Sequence, residues 1–286
     1  MDSVAGMAHS PKILVFDSGL GGLTVFAEIA LLRPDAKFIY AADDAGFPYG
    51  ALPEAALAPR VIAVMQRLIA NYAPDVAVIA CNTASTLVLP HLRARFPQLP
   101  FIGTVPAIKP AAIQSRSKLI SVLATPGTVA RDYTRDLVRS YAADCSVTLV
   151  GSSALASLAE AFMQGDAPSD AAILREIVPA FVEAEGRRTD AIALACTHYP
   201  LLIGQLERLA PWPVTWIDPA PAIARRTDHV LSEDLGLRSN SARSPTEAPN
   251  CALFTGETPP GPQLVEALRR RGIGKIHMEP MPLVFA

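Results

Sequence analysis

The chain has 286 residues, half of them hydrophobic and 18% charged, with a formal net charge of −2. That is enough chain for one large or two medium domains with real cores, and the composition excludes a disordered polypeptide. The charge balance, with no cluster of Lys and Arg, argues against a nucleic-acid surface, and no apolar run approaches the length of a membrane helix.

Regular alternation of strand and helix patterns runs through the sequence. Lys12–Phe16 reads as a first strand, followed by the turn Asp17-Ser18-Gly19-Leu20-Gly21-Gly22 and a helix over Leu23–Leu32. A glycine-rich turn between strand and helix either presents backbone N–H groups to an anion or simply packs tightly. Lys37–Ala41 is a second strand. The loop from Asp43 to Gly50 follows it, and Tyr49 is either a cover over a site or a half-buried anchor. A long helix spans Glu54–Asn71. Val76–Ala80 is a buried strand ending at Cys81, and its following helix runs from Thr86 to Arg95.

Leu99–Gly103 is a short strand and Pro106–Ser115 a short helix. The strand Leu119–Ala124 ends in Thr125-Pro126-Gly127-Thr128, whose hydroxyls suit a helix cap or an anion. A helix continues to about Val138. Val147–Val150 is a strand, Ala154–Phe162 a helix carrying Glu160, and Asp170–Glu185 an amphipathic helix. Ala191–Ala195 is a second apolar strand ending in cysteine, Cys196, followed by Thr197-His198-Tyr199-Pro200. Val214–Ile217 is a strand, with a helix beyond it to about Leu231. Residues 232–250 read as a polar surface loop, Cys251–Phe254 as a strand and Pro262–Arg271 as a helix. This alternation predicts an α/β fold with largely parallel sheets.

There are four cysteines, Cys81, Cys145, Cys196 and Cys251, with no CxxC pair. Residues 1–11 lack the cationic start and apolar core of a secretion signal. The expected setting is therefore a reducing cytoplasm, with free thiols and no structural zinc. Cys145 and Cys251 read as small apolar fillers, and His9, His91, His229 and His277 as ordinary structural residues. Cys81 and Cys196 differ from them, because each ends an apolar strand and is followed by small hydrogen-bonding groups. They lie about one domain's length apart, which predicts two similar halves that face one another. The expected division is residues 1–98 plus 213–286 in one domain and 99–212 in the other.

Two thiols on opposite sides of one carbon form a two-base device. One takes a proton from one face while the other delivers a proton to the opposite face, which inverts a stereocentre. A thiol suits the task because its ordinary pKa, about 8.5, lies near working pH. No lysine motif for a pyridoxal Schiff base is evident, so the carbanion-like transition state would rely on dipoles and hydrogen bonds. Ser18, Asn82, Thr83, Thr197 and turn amides are of the right type, and Asp17 and His198 stand beside the thiols in sequence.

These motifs resemble those of the cofactor-independent aspartate/glutamate racemase family, in its bacterial glutamate racemase group. They are Phe16-Asp17-Ser18-Gly19-Leu20-Gly21-Gly22, Pro48-Tyr49-Gly50, Ala80-Cys81-Asn82-Thr83-Ala84-Ser85, Thr125-Pro126-Gly127-Thr128-Val129 and Ala195-Cys196-Thr197-His198-Tyr199-Pro200-Leu201-Leu202. The resemblance implies two pseudo-twofold-related α/β domains, with the site in their cleft and neither metal nor pyridoxal phosphate. It implies Cys81 and Cys196 as the acid/base pair, acting on D- and L-glutamate respectively, with Asp17, His198 and Glu160 assisting. It also implies substrate contacts from Asp17, Ser18, Pro48, Tyr49, Gly50, Asn82, Thr83, Thr125, Thr128, Thr197 and His198. A homodimer, a peptidoglycan-precursor effector and supply of D-glutamate for peptidoglycan belong to the same expectation. Asp44 and Gly46 depart from the Thr and Arg common in relatives. Gly151-Ser152-Ser153 stands where a Cys-Pro element is common, which leaves Glu160 the weakest of the transferred roles. The competing readings are a racemase of aspartate or another small acid, a non-catalytic binding or regulatory relative, and a nucleotide-binding protein built on the Gly19–Gly22 turn.

Overall fold

The structure, a computed structural model, describes residues 10–239 and 250–281. The first segment runs β1 (Lys12–Asp17), α1 (Leu23–Leu32), β2 (Lys37–Ala42), α2 (Glu54–Tyr72), β3 (Val76–Ile79), α3 (Asn82–Arg95) and β4 (Phe101–Gly103). The middle segment runs α4 (Ile108–Gln114), β5 (Leu119–Ala124), α5 (Pro126–Val129), α6 (Asp132–Tyr141), β6 (Ser146–Gly151), α7 (Leu155–Gln164) and α8 (Asp170–Ile177). It continues with β7 (Glu183–Ala184), β8 (Arg187–Arg188), β9 (Ala191–Ala195), α9 (Ile203–Leu209) and β10 (Thr215–Ile217). The chain then returns through α10 (Ala220–His229), β11 (Asn250–Phe254), α11 (Pro262–Arg269) and β12 (Ile273–Met278).

Two parallel sheets organise these elements. The larger has the order β12-β11-β2-β1-β3-β4 and the smaller β10-β9-β5-β6. Their central strands are apolar throughout because both faces are covered, as parallel sheets require. Side chains alternate between faces with period 2. Ile13 and Val15 therefore join the core on one side of the larger sheet, and Leu14 and Phe16 the core on the other. In the smaller sheet Leu123 and Leu194 face one core, and Val122 and Ala193 the other.

The two halves repeat one topology. Four strands of the larger sheet run β2-β1-β3-β4, and the smaller sheet runs β6-β5-β9-β10. In each, the third strand in chain order pairs with the first, and it is this strand that ends in a cysteine. Strand β4 belongs to the larger sheet and β10 to the smaller. The change of sheet thus falls between Gly103 and Ile108 and again between Ile217 and Ala220, later in each case than the boundaries expected at 98/99 and 212/213.

Several other elements depart from the sequence reading. The helix expected over Asp170–Glu185 stops at Ile177, because Pro179 cannot donate to a continuing helix, and the chain forms a short β7–β8 hairpin instead. Strand β12 carries no apolar run; it is an edge strand with mostly exposed or half-exposed side chains. Helix α10 continues as a π-helical turn over Val230–Asp234, so the expected loop begins later. Residues 240–249 of that loop, and His9, lie outside the described residues.

Arg33, at the end of α1, is fully buried. It forms a bidentate pair with Asp35, reaches Asp228 of α10 at 3.4 Å and donates to the carbonyl of Leu237. This cation ties the first helix to the returning chain. Arg33→Ala leaves the buried Asp35 carboxylate without that partner, and such losses cost about 3–5 kcal/mol. Thermal melting of the variant is expected to show a clear downward shift.

Candidate active site

The carboxyl ends of both sheets meet, which is where ligands collect in open α/β folds. Cys81 follows β3 and Cys196 follows β9, and both are buried, at 6% and 7% exposure. Register places Phe16 beside Ile79 and Ala124 beside Ala195. Asp17 and Thr125 therefore continue equivalent strands next to the two cysteine-bearing ones.

Direct bonds join the halves around these strand ends. Thr197 donates to Asp17 Oδ2 at 2.9 Å, while Gly19 N–H donates to the other oxygen. Leu20 N–H donates to Glu160 Oε2 at 3.0 Å. Glu160 Oε2 also lies 2.7 Å from His198 Nε2, and His198 Nδ1 lies 3.9 Å from the Cys196 sulfur. Thr83 meets Thr125 at 3.3 Å, and the hydroxyls of Thr125 and Thr128 are 3.0 Å apart. Thr125 also caps α5 through the Thr128 amide. The glycine-rich turn packs: a Cβ at Gly21 would stand 2.5 Å from His198 Nδ1 and 2.6 Å from Thr197 Oγ1. Only glycine allows the second half to approach this closely, and the Leu20 amide is taken by Glu160 rather than left open to an anionic ligand.

The two thiols have different surroundings. Ser18 Oγ lies 3.7 Å from the Cys81 sulfur. Burial and the neighbouring Asp17 push the Cys81 thiol up to about 12, so it is protonated near neutral pH. Burial also pushes the Asp17 carboxyl up. For His198, burial alone would lower the pKa, but the hydrogen bonds with Cys196 and Glu160 outweigh it and hold the imidazole well above its ordinary value. The imidazole thus stands between a carboxylate and a sulfur, with the Gly21 N–H also 3.3 Å from its Nε2.

That shift has a stability consequence. A group whose folded pKa is raised contributes stability that is fully present below its unfolded value, about 6.5, and is lost as pH rises through the folded one. Glu160→Gln removes the carboxylate partner. Its melting temperature should lie furthest below wild type at or under about pH 6.5, with the gap closing in alkaline buffer. A pH-independent gap would show that Glu160 acts only through packing and its bond to Leu20.

Asn82 begins α3, is 2% exposed, and neither of its amide atoms has a hydrogen-bond partner. Buried polar groups are normally satisfied, so this side chain is poised for a guest. Tyr49 is anchored: its ring is 2% exposed and its hydroxyl donates to Asp43. The loop instead offers the second half Phe47, whose ring lies 5.2 Å from the imidazole of His198, and Gly50, where a Cβ would stand 3.0 Å from Thr125. Pro48 follows a cis peptide between them.

Sequence reasoning missed the support beneath this loop. Asp43 is fully buried and accepts from Tyr49, from Thr255 at 2.6 Å and from Arg60 Nε at 2.9 Å, with a second Arg60 bond to its other oxygen. These partners come from three separate elements, and no spacing announces them. Among the described residues, no group of three or more His, Cys, Asp and Glu is arranged to hold a metal ion. None of the described helices is long and apolar enough to cross a membrane.

Fold and site together define a two-domain α/β enzyme with a buried thiol from each half in one interdomain cleft. The Asp/Glu/Hydantoin racemase model matches residues 29–227. Glutamate racemase of Rhizobium meliloti (strain 1021) is 57% identical over 247 residues, covering 86% of this chain and 87% of that protein. Its counterpart in Brucella canis is 59% identical over 225 residues, covering 79% and 81%. The crystal structure of Escherichia coli glutamate racemase with L-glutamate and the activator UDP-MurNAc-ala superposes with a TM-score of 0.85 at 38% identity, covering 96% of this chain and all of that one. The chain belongs to the Asp/Glu/Hydantoin racemase family, among its bacterial glutamate racemases, and is an isomerase.

Proposed function

We propose that this enzyme interconverts L- and D-glutamate by a cofactor-independent two-base mechanism, with Cys81 and Cys196 on opposite faces of the substrate. The observation that carries the reading is the equivalent placement of the two thiols at matching strand ends of two repeated sheets that meet at one cleft.

From L-glutamate, the Cys196 thiolate takes the α-proton and becomes a thiol. The Cys81 thiol delivers its proton to the opposite face and becomes a thiolate, so D-glutamate leaves with the two protonation states exchanged. The reverse direction starts with Cys81 as base. The high Cys81 value means that its proton must be accepted locally before it can act as a base, and Asp17 supplies a buried carboxylate for that task. His198 plays a different part: bonded to Glu160 and 3.9 Å from the Cys196 sulfur, it stabilises the thiolate form of Cys196. Asn82, Ser18, Thr83, Thr125, Thr128 and Thr197 supply hydrogen-bonding groups, joined by the backbone of Pro48–Gly50. Oriented dipoles in a water-poor cleft stabilise charge that develops in the transition state.

The proposal includes D-glutamate supply for peptidoglycan in the cytoplasm, a homodimer as the working form, and stimulation by a peptidoglycan precursor of the kind bound to the Escherichia coli relative. Purified enzyme in D2O without added cofactor should exchange the α-proton of both glutamate enantiomers and racemise them. Exchange of aspartate alone would retain the chemistry and replace the substrate. Activity measured with and without UDP-MurNAc-ala tests the effector.

A further inference from the structure

Among the described residues, the buried side-chain atoms without hydrogen-bond partners are both amide atoms of Asn82, Arg131 Nε and the hydroxyl of Tyr199. Tyr199 is fully buried, and its ring packs in the apolar core of the smaller sheet with Leu155, Ile173 and Ile192. Phenylalanine would fill that place without stranding a polar atom, and stranding one is costly.

The position of the hydroxyl explains its retention. Tyr199 opens the 3-10 turn after Cys196, and its amide donates to the Cys196 carbonyl at 3.2 Å. Tyr199 and Cys196 share one buried cluster, and the Cys196 thiol and the Ser152 hydroxyl are near enough to bear on the acidity of the phenol, yet neither stands at hydrogen-bond distance from it. Ser152 has little use for it, since its own proton goes to Glu176 at 2.5 Å and it accepts from Leu155 N–H. Burial keeps the phenol protonated throughout the working range, so it can only act as a donor toward a sulfur that becomes negative.

We infer that Tyr199 is a positioning residue for Cys196, its O–H completing a hydrogen bond to the thiolate that forms there during each turnover. Cys81 also has a hydroxyl beside it, that of Ser18, 3.7 Å from the sulfur. No proton is transferred; the bond forms as Cys196 loses its proton and relaxes when the thiol returns. The inference rests on the two-thiol reading, and its direct readout does not depend on racemisation.

The test is alkylation of wild type and Tyr199→Phe by iodoacetamide at fixed neutral pH, with Cys81 and Cys196 quantified separately by peptide mass spectrometry. Loss of one charge-assisted hydrogen bond should slow Cys196 alkylation about tenfold and leave Cys81 unchanged, because the thiolate is the reactive form. With D-glutamate as substrate the variant should lose about tenfold in kcat with little change in KM, since in that direction charge develops on Cys196 as it gives up its proton. Incorporation of 3-fluorotyrosine at position 199, a stronger donor, should speed Cys196 alkylation. An unchanged ratio of Cys196 to Cys81 alkylation in both variants would overturn the assignment and leave Tyr199 as packing. Failure of the two-thiol reading appears elsewhere, as normal racemisation by Cys196→Ser.

Discussion

Cys81→Ser and Cys196→Ser should each lose glutamate racemisation by on the order of 10³-fold, in keeping with removal of a positioned acid/base group. A hydroxyl is far less acidic than a thiol, so serine keeps the shape and loses the proton chemistry. The two variants should fail differently. Cys81→Ser retains the thiol assigned to L-glutamate, and Cys196→Ser the one assigned to D-glutamate. In D2O each should still exchange the α-proton of one enantiomer slowly while racemising neither. Both thiols are buried near the cleft, so alkylation by a small reagent adds a second measurement. Cys81, with its thiol pushed up to about 12, should react slowly at neutral pH unless substrate binding moves its proton. Normal racemisation by either variant would reduce that cysteine to packing and end the two-base mechanism.

Asp43→Ala should be the most damaging change outside the thiols. It removes the common acceptor of Arg60, Tyr49 and Thr255 from a fully buried site. Loss of one partner from a buried charged network costs about 3–5 kcal/mol. The effect should extend to catalysis. The loop held by Asp43 carries Phe47 against His198 and Gly50 against Thr125, so loosening it disturbs the second domain's side of the cleft. Melting temperature and steady-state kinetics together test this. The expected result is a lower melting temperature together with a fall in kcat measured well below it. A melting shift with unchanged kcat would confine Asp43 to stability.

The thiols were legible because each ends an apolar strand, and burial of a parallel strand requires such a run. The glycine turn was legible as a turn, but its purpose was not: Gly21 is needed because His198 and Thr197 press on it from the other half. Strand β12 escaped notice because an edge strand with exposed side chains lacks the apolar run that marks its neighbours. Strands β4 and β10 were recognised, yet their sheets were not, since three-residue strands carry no label of partner. The helix after Asp170 ended early at a proline whose effect the amphipathic pattern concealed.

By itself the sequence determined the alternating elements, the parallel class of fold, the repeated strand-end cysteine and the residue types gathered around it. These are local properties, written in periodicity and in the residues that stop strands and start helices. Tertiary structure alone decided which strands share a sheet and where the chain crosses between sheets. It also decided that Thr197 bonds Asp17, that Glu160 fixes His198, and that Asp43 collects donors from elements far apart in the chain. Those contacts depend on how two packed layers meet, and a hydrogen bond between distant residues leaves no periodic trace in either segment.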